Sequence, residues 1–254
     1  MRPAELVAGA KLRDISGMAK AHDTWKVLPH RPIEVVADNL WRVEGKLETM
    51  PLKRVMTIAR REDGQLVVHN AMALDPESMA RIDAWGPVTW LIVPNGYHRL
   101  DARVFKDRYP QARVLCPLGS TKKVAEVVAV DGSYADFPID RTVSFETLDG
   151  VGEQEGVMIV RSPDGVTLVF NDAVFNMRDI GGVKGWVLRN VTQSIGGPRV
   201  SRIMKLFVVK DRAKFRAHLL RLADTPGLRR MIVSHDRMET DDAAGALRTA
   251  ASTV

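Results

Sequence analysis

The chain has 254 residues and a mass of 28.2 kDa; 45% of the residues are hydrophobic and 27% are charged, as in ordinary globular proteins. This length supports one or two domains and a large core. Cys116 is the single cysteine, which excludes an intrachain disulfide framework. The net charge of +6 and the pI of about 9.6 leave polyanionic partners open without identifying one.

Membrane and export signals are not visible in the sequence. The apolar run Val88–Val93 is far shorter than the ~20 residues that span a bilayer. The N-terminus does not resemble a signal peptide, because Glu5 soon follows Arg2 and the apolar piece Leu6–Ala10 is short and contains Gly9. The sequence therefore predicts a cytoplasmic protein with no membrane partner.

Predicted elements of the first half begin after residues 1–30, which show little periodicity and are interpreted as an N-terminal extension. Asp75 is placed to cap a helix that starts at Pro76 and stops at Gly86-Pro87. Further helices are predicted up to about Tyr109 and near Thr121–Val128. The predicted strands are Leu40–Val43, Lys53–Arg60, Leu66–His69, Val88–Val93 and Ala112–Cys116.

The second half repeats this mixture of strands and helices. Its predicted strands are Val143–Leu148, Gly156–Arg161, Val166–Phe170 and Arg229–Ser234. The glycine-rich segment 177–198 is interpreted as a long loop. Helices are predicted near Arg199–Val208, at Asp211–Ala223 and near Asp241–Ala251. Two mixed halves, each a sheet with helices, predict an α/β protein built as a four-layer αββα sandwich with mixed sheets.

The positive charge is concentrated in one stretch. Arg199–Arg237 holds eleven lysines or arginines and three aspartates. Solvated helices are the favoured interpretation, because the stretch lacks interleaved aromatics and no nucleic-acid motif accompanies it. A patch for phosphates or nucleic acid is the alternative.

Three polar residues follow three apolar strands. His98 lies in the loop after Val88–Val93, Asp172 follows the strand that ends at Phe170, and His235 ends the strand Arg229–Ser234. Strand ends can converge on one rim, where imidazole and carboxylate groups suit zinc, manganese or iron. The alternative is a rim in which both histidines hydrogen-bond to Asp172 without an ion.

The order of segments resembles the metallo-β-lactamase superfamily, and in particular a divergent branch of it. The segments that carry the resemblance are 54–58, 64–70, 91–98, 109–114, 167–172 and 232–235, and the match covers roughly residues 38–237. The resemblance implies a single domain over 31–240, followed by a C-terminal tail or short helix over 241–254.

The superfamily binds one or two metals through four motifs, and most of these positions are lost here. Its first motif, His-x-His-x-Asp-His, matches Asn95 to Asp101, where His98 is the one histidine and Asp101 is a further candidate ligand. No histidine stands near Leu148–Glu153, where the second motif is expected. The third and fourth motifs match Asp172 and His235. The resemblance therefore implies a single zinc or other divalent ion, or none.

These residues support two functions of different classes. One is a metal-dependent hydrolase with an atypical or single-metal site, in which His98, Asp172 and His235 are catalytic and act on an unidentified small-molecule substrate. The other is a non-catalytic or regulatory binding protein with a degenerate, metal-free site. The sequence does not indicate the oligomeric state.

Overall fold

The computed structural model describes residues 21–48 and 52–254. Seven strands of this part form one mixed sheet in chain order: β1 (Glu34–Ala37), β2 (Leu40–Lys46), β3 (Lys53–Arg60), β4 (Leu66–His69), β5 (Val88–Ile92), β6 (Arg113–Cys116) and β7 (Gly132–Ser133). Neighbouring strands are antiparallel from β1 to β4 and parallel from β4 to β7.

The later strands are β8 (Val143–Thr147), β9 (Gly156–Ser162), β10 (Gly165–Phe170), β11 (Phe175–Met177), β12 (Gly197–Arg199) and β13 (Leu228–Val233). A second sheet has the order β13-β10-β9-β8, in which β10 and β13 are parallel. Strands β11 and β12 form an antiparallel pair beside it.

The helices are α1 (Pro76–Trp85), α2 (Ala102–Arg108), α3 (Thr121–Val124), α4 (Gly182–Asn190), α5 (Arg212–Ala223) and α6 (Ala243–Ser252), with a π-helical turn at Met204–Val208. The Asp75 carboxylate accepts from the backbone N–H groups of Glu77 and Ser78, which confirms the predicted cap of α1. No helix within residues 21–48 and 52–254 is long and apolar enough to cross a membrane.

Three clusters of buried side chains separate four layers. Helices α1 and α2 pack on the outer face of the seven-stranded sheet, the two sheets pack on each other, and α5 and α6 cover the outer face of the second sheet. Along β3, Met56 and Ile58 face the helices, whereas Val55 and Ala59 face the other sheet, as the two-residue period of a strand requires. The predicted αββα sandwich is confirmed.

Three predicted elements differ from the structure. The predicted loop 177–198 contains α4, whose Leu188 packs against Phe175 and Met177 and so stabilises a helix in a glycine-rich stretch. The helix predicted near Arg199–Val208 is reduced to the short π-helical turn, and the one predicted near Thr121–Val128 is helical only to Val124.

The described end of the predicted N-terminal extension packs against the domain. The Trp25 ring stacks on Phe105 with a centroid distance of 5.1 Å, and the His22 backbone N–H donates to the Leu100 carbonyl at 2.8 Å. The predicted boundaries 1–30, 31–240 and 241–254 stay predictions. The rest of the extension, residues 1–20, lies outside the described residues.

An ion-pair cluster on the second sheet predicts a pH-dependent stability. The hydrogen bond from His218 holds the pKa of Glu146 down to about 2, against burial, and Arg221 adds to the effect. A carboxyl whose folded pKa lies below its usual 4.5 stabilises the fold above that pH and loses this contribution as the pH falls toward 2. We expect E146Q to be less stable than the wild type near neutral pH, with the difference disappearing on acidification. Chemical denaturation across that pH range measures it, and a constant difference would contradict the assignment.

Candidate metal centre

The carboxyl ends of strands from both sheets meet at one rim. Asp172 lies two residues after β10 and His235 two residues after β13. Because these strands are parallel, with Phe170 paired to Val233, both residues leave the sheet at the same level. His98 reaches this rim from the loop that follows β5 in the other sheet. The structure therefore brings together the three residues that the sequence placed at a common edge.

These three side chains converge on one atom. The Nε2 atoms of His98 and His235 each lie 3.1 Å from Asp172 Oδ1. One ligand atom from each of the three residues lies within 4.8 Å of the others, an arrangement that can hold a metal ion. The Asp172 side chain is 24% exposed and that of His98 is 13% exposed. Asp172 Oδ1, the oxygen shared by the two histidines, therefore lies near solvent rather than in the core.

The outer nitrogens of the two imidazoles are held by oxygen atoms. His235 Nδ1 lies 2.7 Å from the Lys53 carbonyl, which can only accept, so Nδ1 carries the hydrogen. His98 Nδ1 lies 3.3 Å from Asn70 Oδ1, and the Asn70 amide nitrogen is oriented away from it by donating to the Val55 carbonyl at 2.8 Å. Such partners of Nδ1 orient a histidine ring for metal binding and leave Nε2 free to coordinate.

Asn95 shapes the loop that carries His98. Its side-chain oxygen accepts from the backbone N–H groups of Tyr97 and His98 at 2.8 and 2.9 Å, an Asx turn. Its amide nitrogen donates to Asp172 Oδ2 at 2.9 Å and to Glu155 Oε1 at 2.5 Å. Asn95 thus occupies the second oxygen of Asp172 and leaves Oδ1 to the histidines.

Burial and charge shift several pKa values at this rim. Burial raises the pKa of Asp172, but His98 and His235 outweigh it and hold that pKa well below its usual range. Burial lowers the pKa of His235, but Asp172 and the Lys53 carbonyl outweigh it and raise that pKa. Burial, reinforced by the negative charge of Asp172, raises the pKa of Glu155 well above its usual range. Asp172 is therefore the anion of the cluster, whereas burial favours the neutral form of Glu155.

The structure does not bring Asp101 to this cluster. Its buried carboxylate lies 2.7 Å from Arg54 Nη2 and 2.6 Å from His22 Nδ1. Its Oδ2 also accepts from the backbone N–H of Ala73 at 3.1 Å. Asp101 therefore binds the N-terminal segment and Arg54 to the loop before α2, which accounts for both of its oxygens.

The donor set fits a divalent metal such as zinc. Ligand atoms at 2.0–2.2 Å from a tetrahedral zinc lie roughly 3.3 Å apart, close to the two spacings of 3.1 Å found here. With both Nδ1 atoms protonated, two Nε2 lone pairs face one carboxylate oxygen. This contact is stable only when a cation or protons lie between them. Among the described residues, these three form the one such group of histidine, cysteine or acidic side chains.

The sequence did not single out the residues that support this cluster. The supporting residues are Asn70, which holds His98, Asn95, which donates to Asp172, and Glu155, which accepts from Asn95. An isolated asparagine or glutamate in a sequence does not indicate a metal site. The spacing of Asn95 to His98 could have indicated an Asx turn. Asp149 is one of the carboxylates nearest the expected second motif. It pairs instead with His218 on α5, with 2.9 Å between Asp149 Oδ2 and His218 Nδ1.

No protein-family model matches the sequence, and no curated protein matches it. Solved structures do match its fold. The chain is similar to the metallo-β-lactamase FIM-1 from Pseudomonas aeruginosa in its mono-zinc form, with 11% identity, a TM-score of 0.58, and coverage of 89% of this chain and 96% of that one. It is similar to the metallo-β-lactamase DIM-1, with 11% identity, a TM-score of 0.60, and coverage of 90% and 99%. A metallo-β-lactamase from Pontibacter korlensis matches with 10% identity, a TM-score of 0.58, and coverage of 87% and 99%.

These likenesses extend over most of the chain and of each neighbour. Together with the αββα layers and the position of the cluster at the strand ends, they show that the chain has the metallo-β-lactamase fold. At about a tenth sequence identity they show the fold alone, so the chemistry has to be argued from the residues at the rim.

Proposed function

We propose that this protein is a hydrolase that uses a single divalent metal ion held by His98, Asp172 and His235. The observation that carries the proposal is the shared oxygen: two imidazole Nε2 atoms lie 3.1 Å from Asp172 Oδ1, with both Nδ1 atoms held by oxygen acceptors. The structurally similar FIM-1 is a metallo-β-lactamase solved in a mono-zinc form, so a protein of this fold can hold a single metal ion.

Each residue of the rim has a separate part in this proposal. His98, Asp172 and His235 hold the metal, which when bound supplies Lewis-acid polarisation of a carbonyl or phosphoryl oxygen. The Lys53 carbonyl and Asn70 keep the rings aimed at Asp172. Phe175 stacks on His235 at 5.4 Å between ring centroids and keeps water from one face of that ring.

The substrate class that fits is a small ester, thioester or phosphoester, whose hydrolysis needs a polarised oxygen. Relative to the superfamily's motifs, this ligand set is reduced, and a two-metal site is not proposed. A cytoplasmic location stays a prediction from the sequence. The metal-free binding protein remains the second candidate, because protons on both Nε2 atoms would also satisfy Asp172 Oδ1.

Metal content and hydrolysis distinguish these two candidates. The purified protein is stripped with a chelator, reloaded with zinc or manganese, and assayed for bound metal and for hydrolysis of esters, thioesters and phosphoesters. We expect about one metal per chain and a rate that rises on reloading. Absence of stoichiometric metal together with no gain in rate would exclude the hydrolase and leave the binding protein.

Replacing His235 tests its role as a ligand. We expect H235A to lower zinc affinity by about 100-fold or more, because a ligand contributes more than a residue that only hydrogen-bonds to a ligand, whose loss costs about 10–100-fold. The fold should persist, since the residue lies at the rim. H218A is the matched control. His218 is also buried, but it lies on α5 and pairs with Asp149 and Glu146 away from the rim. This variant should therefore lose stability and keep its zinc. Competition with a chromogenic chelator measures the affinity, and equal zinc binding by both variants would refute the assignment.

A further inference from the structure

Helix α4 turns an apolar face to solvent. Val183, Trp186, Val187 and Val191 recur at spacings of three to four residues and therefore lie on one side of the helix. Trp186 is 61% exposed and Val183 is 81% exposed. The inward side is occupied by Leu188, which packs with the cluster of Phe175, Met177 and Ile195. The apolar residues outside are thus additional to those that the fold needs.

The π-helical turn presents a second face of the same kind. Ile203, Leu206 and Phe207 are each about half exposed or more, whereas Met204 between them is buried in the core. The Arg202 backbone N–H donates to the Thr192 carbonyl at 2.8 Å, which brings the end of α4 against the start of this turn. The seven exposed apolar residues of the two segments are called the apolar ridge below.

The segment that carries the ridge is rich in basic residues. Residues 178–214 contain nine lysines or arginines and two aspartates. Asp179 pairs with Arg189, and Asp211 caps α5 through the Lys214 backbone N–H. In the part of the chain that the structure describes, neither Arg202 nor Arg212 has a carboxylate within ion-pair distance.

The cations near the turn lie close enough to act on one another. Burial lowers the pKa of Lys205, and the positive charges of Arg212, Arg202 and Arg199 lower it further. The π-helical turn thus lies beside several positive charges, which an anionic surface would neutralise.

We propose that the apolar ridge docks this protein onto the surface of an anionic phospholipid bilayer. Exposed tryptophan, phenylalanine and aliphatic side chains beside lysine and arginine are the combination that inserts at the headgroup boundary. Basic residues near an anionic leaflet each contribute on the order of 1 kcal/mol. The sequence predicted no membrane partner because it lacks a spanning segment. A peripheral contact needs no such segment, and the two exposed faces are visible only in the tertiary structure.

Other occupants fit these residues less well. A second copy of the chain would place two basic patches against each other. Nucleic acid would meet cations at the border but apolar side chains at the centre, where phosphate contacts are needed. The proposal is independent of whether a metal binds at the rim.

Vesicle co-sedimentation of the full chain tests the proposal. Vesicles of phosphatidylcholine alone are compared with vesicles in which about a third of the lipid is phosphatidylserine. We expect binding to the anionic vesicles, little binding to the neutral ones, and weaker binding as salt is raised. Equal binding to both, or binding to neither, would overturn the proposal.

Two pairs of variants separate the apolar and the electrostatic contributions. The double variant L206E/F207E should lower partitioning about tenfold or more, whereas I139E, at a fully exposed isoleucine outside the ridge, should leave it unchanged. R202E should lower partitioning about fivefold or more, whereas K122E, at an exposed lysine outside the segment 178–214, should have little effect. All five substituted residues are exposed, and circular dichroism confirms that the variants fold.

Two results would reassign the surface. A wild-type dimer that L206E/F207E converts to a monomer, without vesicle binding by the wild type, would assign the ridge to a second copy of the chain. Salt-sensitive retention on DNA or RNA that R202E weakens and L206E/F207E does not, again without vesicle binding, would assign it to nucleic acid.

Discussion

The Asp172→Asn variant is expected to lose zinc binding by two orders of magnitude or more while keeping its fold. Asp172 supplies the negative charge of the cluster, and its Oδ1 is the one atom that both imidazoles approach, at 3.1 Å each. An amide at this position removes the charge and presents a neutral oxygen or an N–H group to the metal. Losing a ligand costs more affinity than losing a residue that only hydrogen-bonds to a ligand, which costs about 10–100-fold. Titration against a competing chelator measures the zinc affinity.

The same variant changes how the metal-free protein responds to pH. Asp172 raises the pKa of His235, so the neutral residue should let that pKa fall back. Metal binding requires the unprotonated Nε2, which is why zinc uptake by the wild type should strengthen as the pH rises through the His235 pKa. Histidine NMR of the two metal-free proteins follows this shift directly.

Asp164→Asn is the matched control for this experiment. Asp164 lies in the turn before β10, at the opposite end of the strand that carries Asp172, and pairs with Arg229 and Arg230. The substitution D164N makes the same chemical change beside the same strand but away from the rim. Similar zinc affinities for D164N and D172N would show that Asp172 is not a ligand.

The Asp101→Asn variant is expected to destabilise the fold by about 3–5 kcal/mol, the cost of leaving a buried charge without its partner. Asp101 is fully buried, and Arg54, whose side chain is 5% exposed, faces it at 2.7 Å. Burial lowers the pKa of Arg54, and Asp101 opposes that shift. For a domain of this size, such a loss corresponds to a fall in Tm on the order of 10 °C.

This prediction also decides whether Asp101 belongs to the metal site. The folded variant should bind zinc as tightly as the wild type, because its carboxylate already serves Arg54, His22 and the Ala73 N–H. The double variant R54M/D101L should recover part of the lost stability, since it leaves no buried charge unpaired. A large loss of zinc affinity in D101N with little change in Tm would instead make Asp101 a ligand.

The elements that could be predicted from the sequence are those that depend on local interactions. The cap at Asp75, the strands Lys53–Arg60 and Leu66–His69, and the αββα order follow from turn residues and from apolar periodicity, which act over a few neighbours. The positions of His98, Asp172 and His235 at strand ends were also readable, because parallel strands deliver their carboxyl ends to one edge. Helix α4 could not be predicted from the sequence, because its glycines lower the local helix propensity. The helix is stabilised by the packing of Leu188 against residues distant in the chain.

The sequence by itself therefore determined the class of fold and three members of the candidate site, because both depend on short-range periodicity and on the strand ends. Only the tertiary structure decided which residues support them. Asn70, Asn95 and Glu155 come from loops far apart in the chain, and Asp101 contacts Arg54 rather than the rim. The same holds for the apolar ridge: which side of a helix faces solvent depends on what the rest of the chain packs against it.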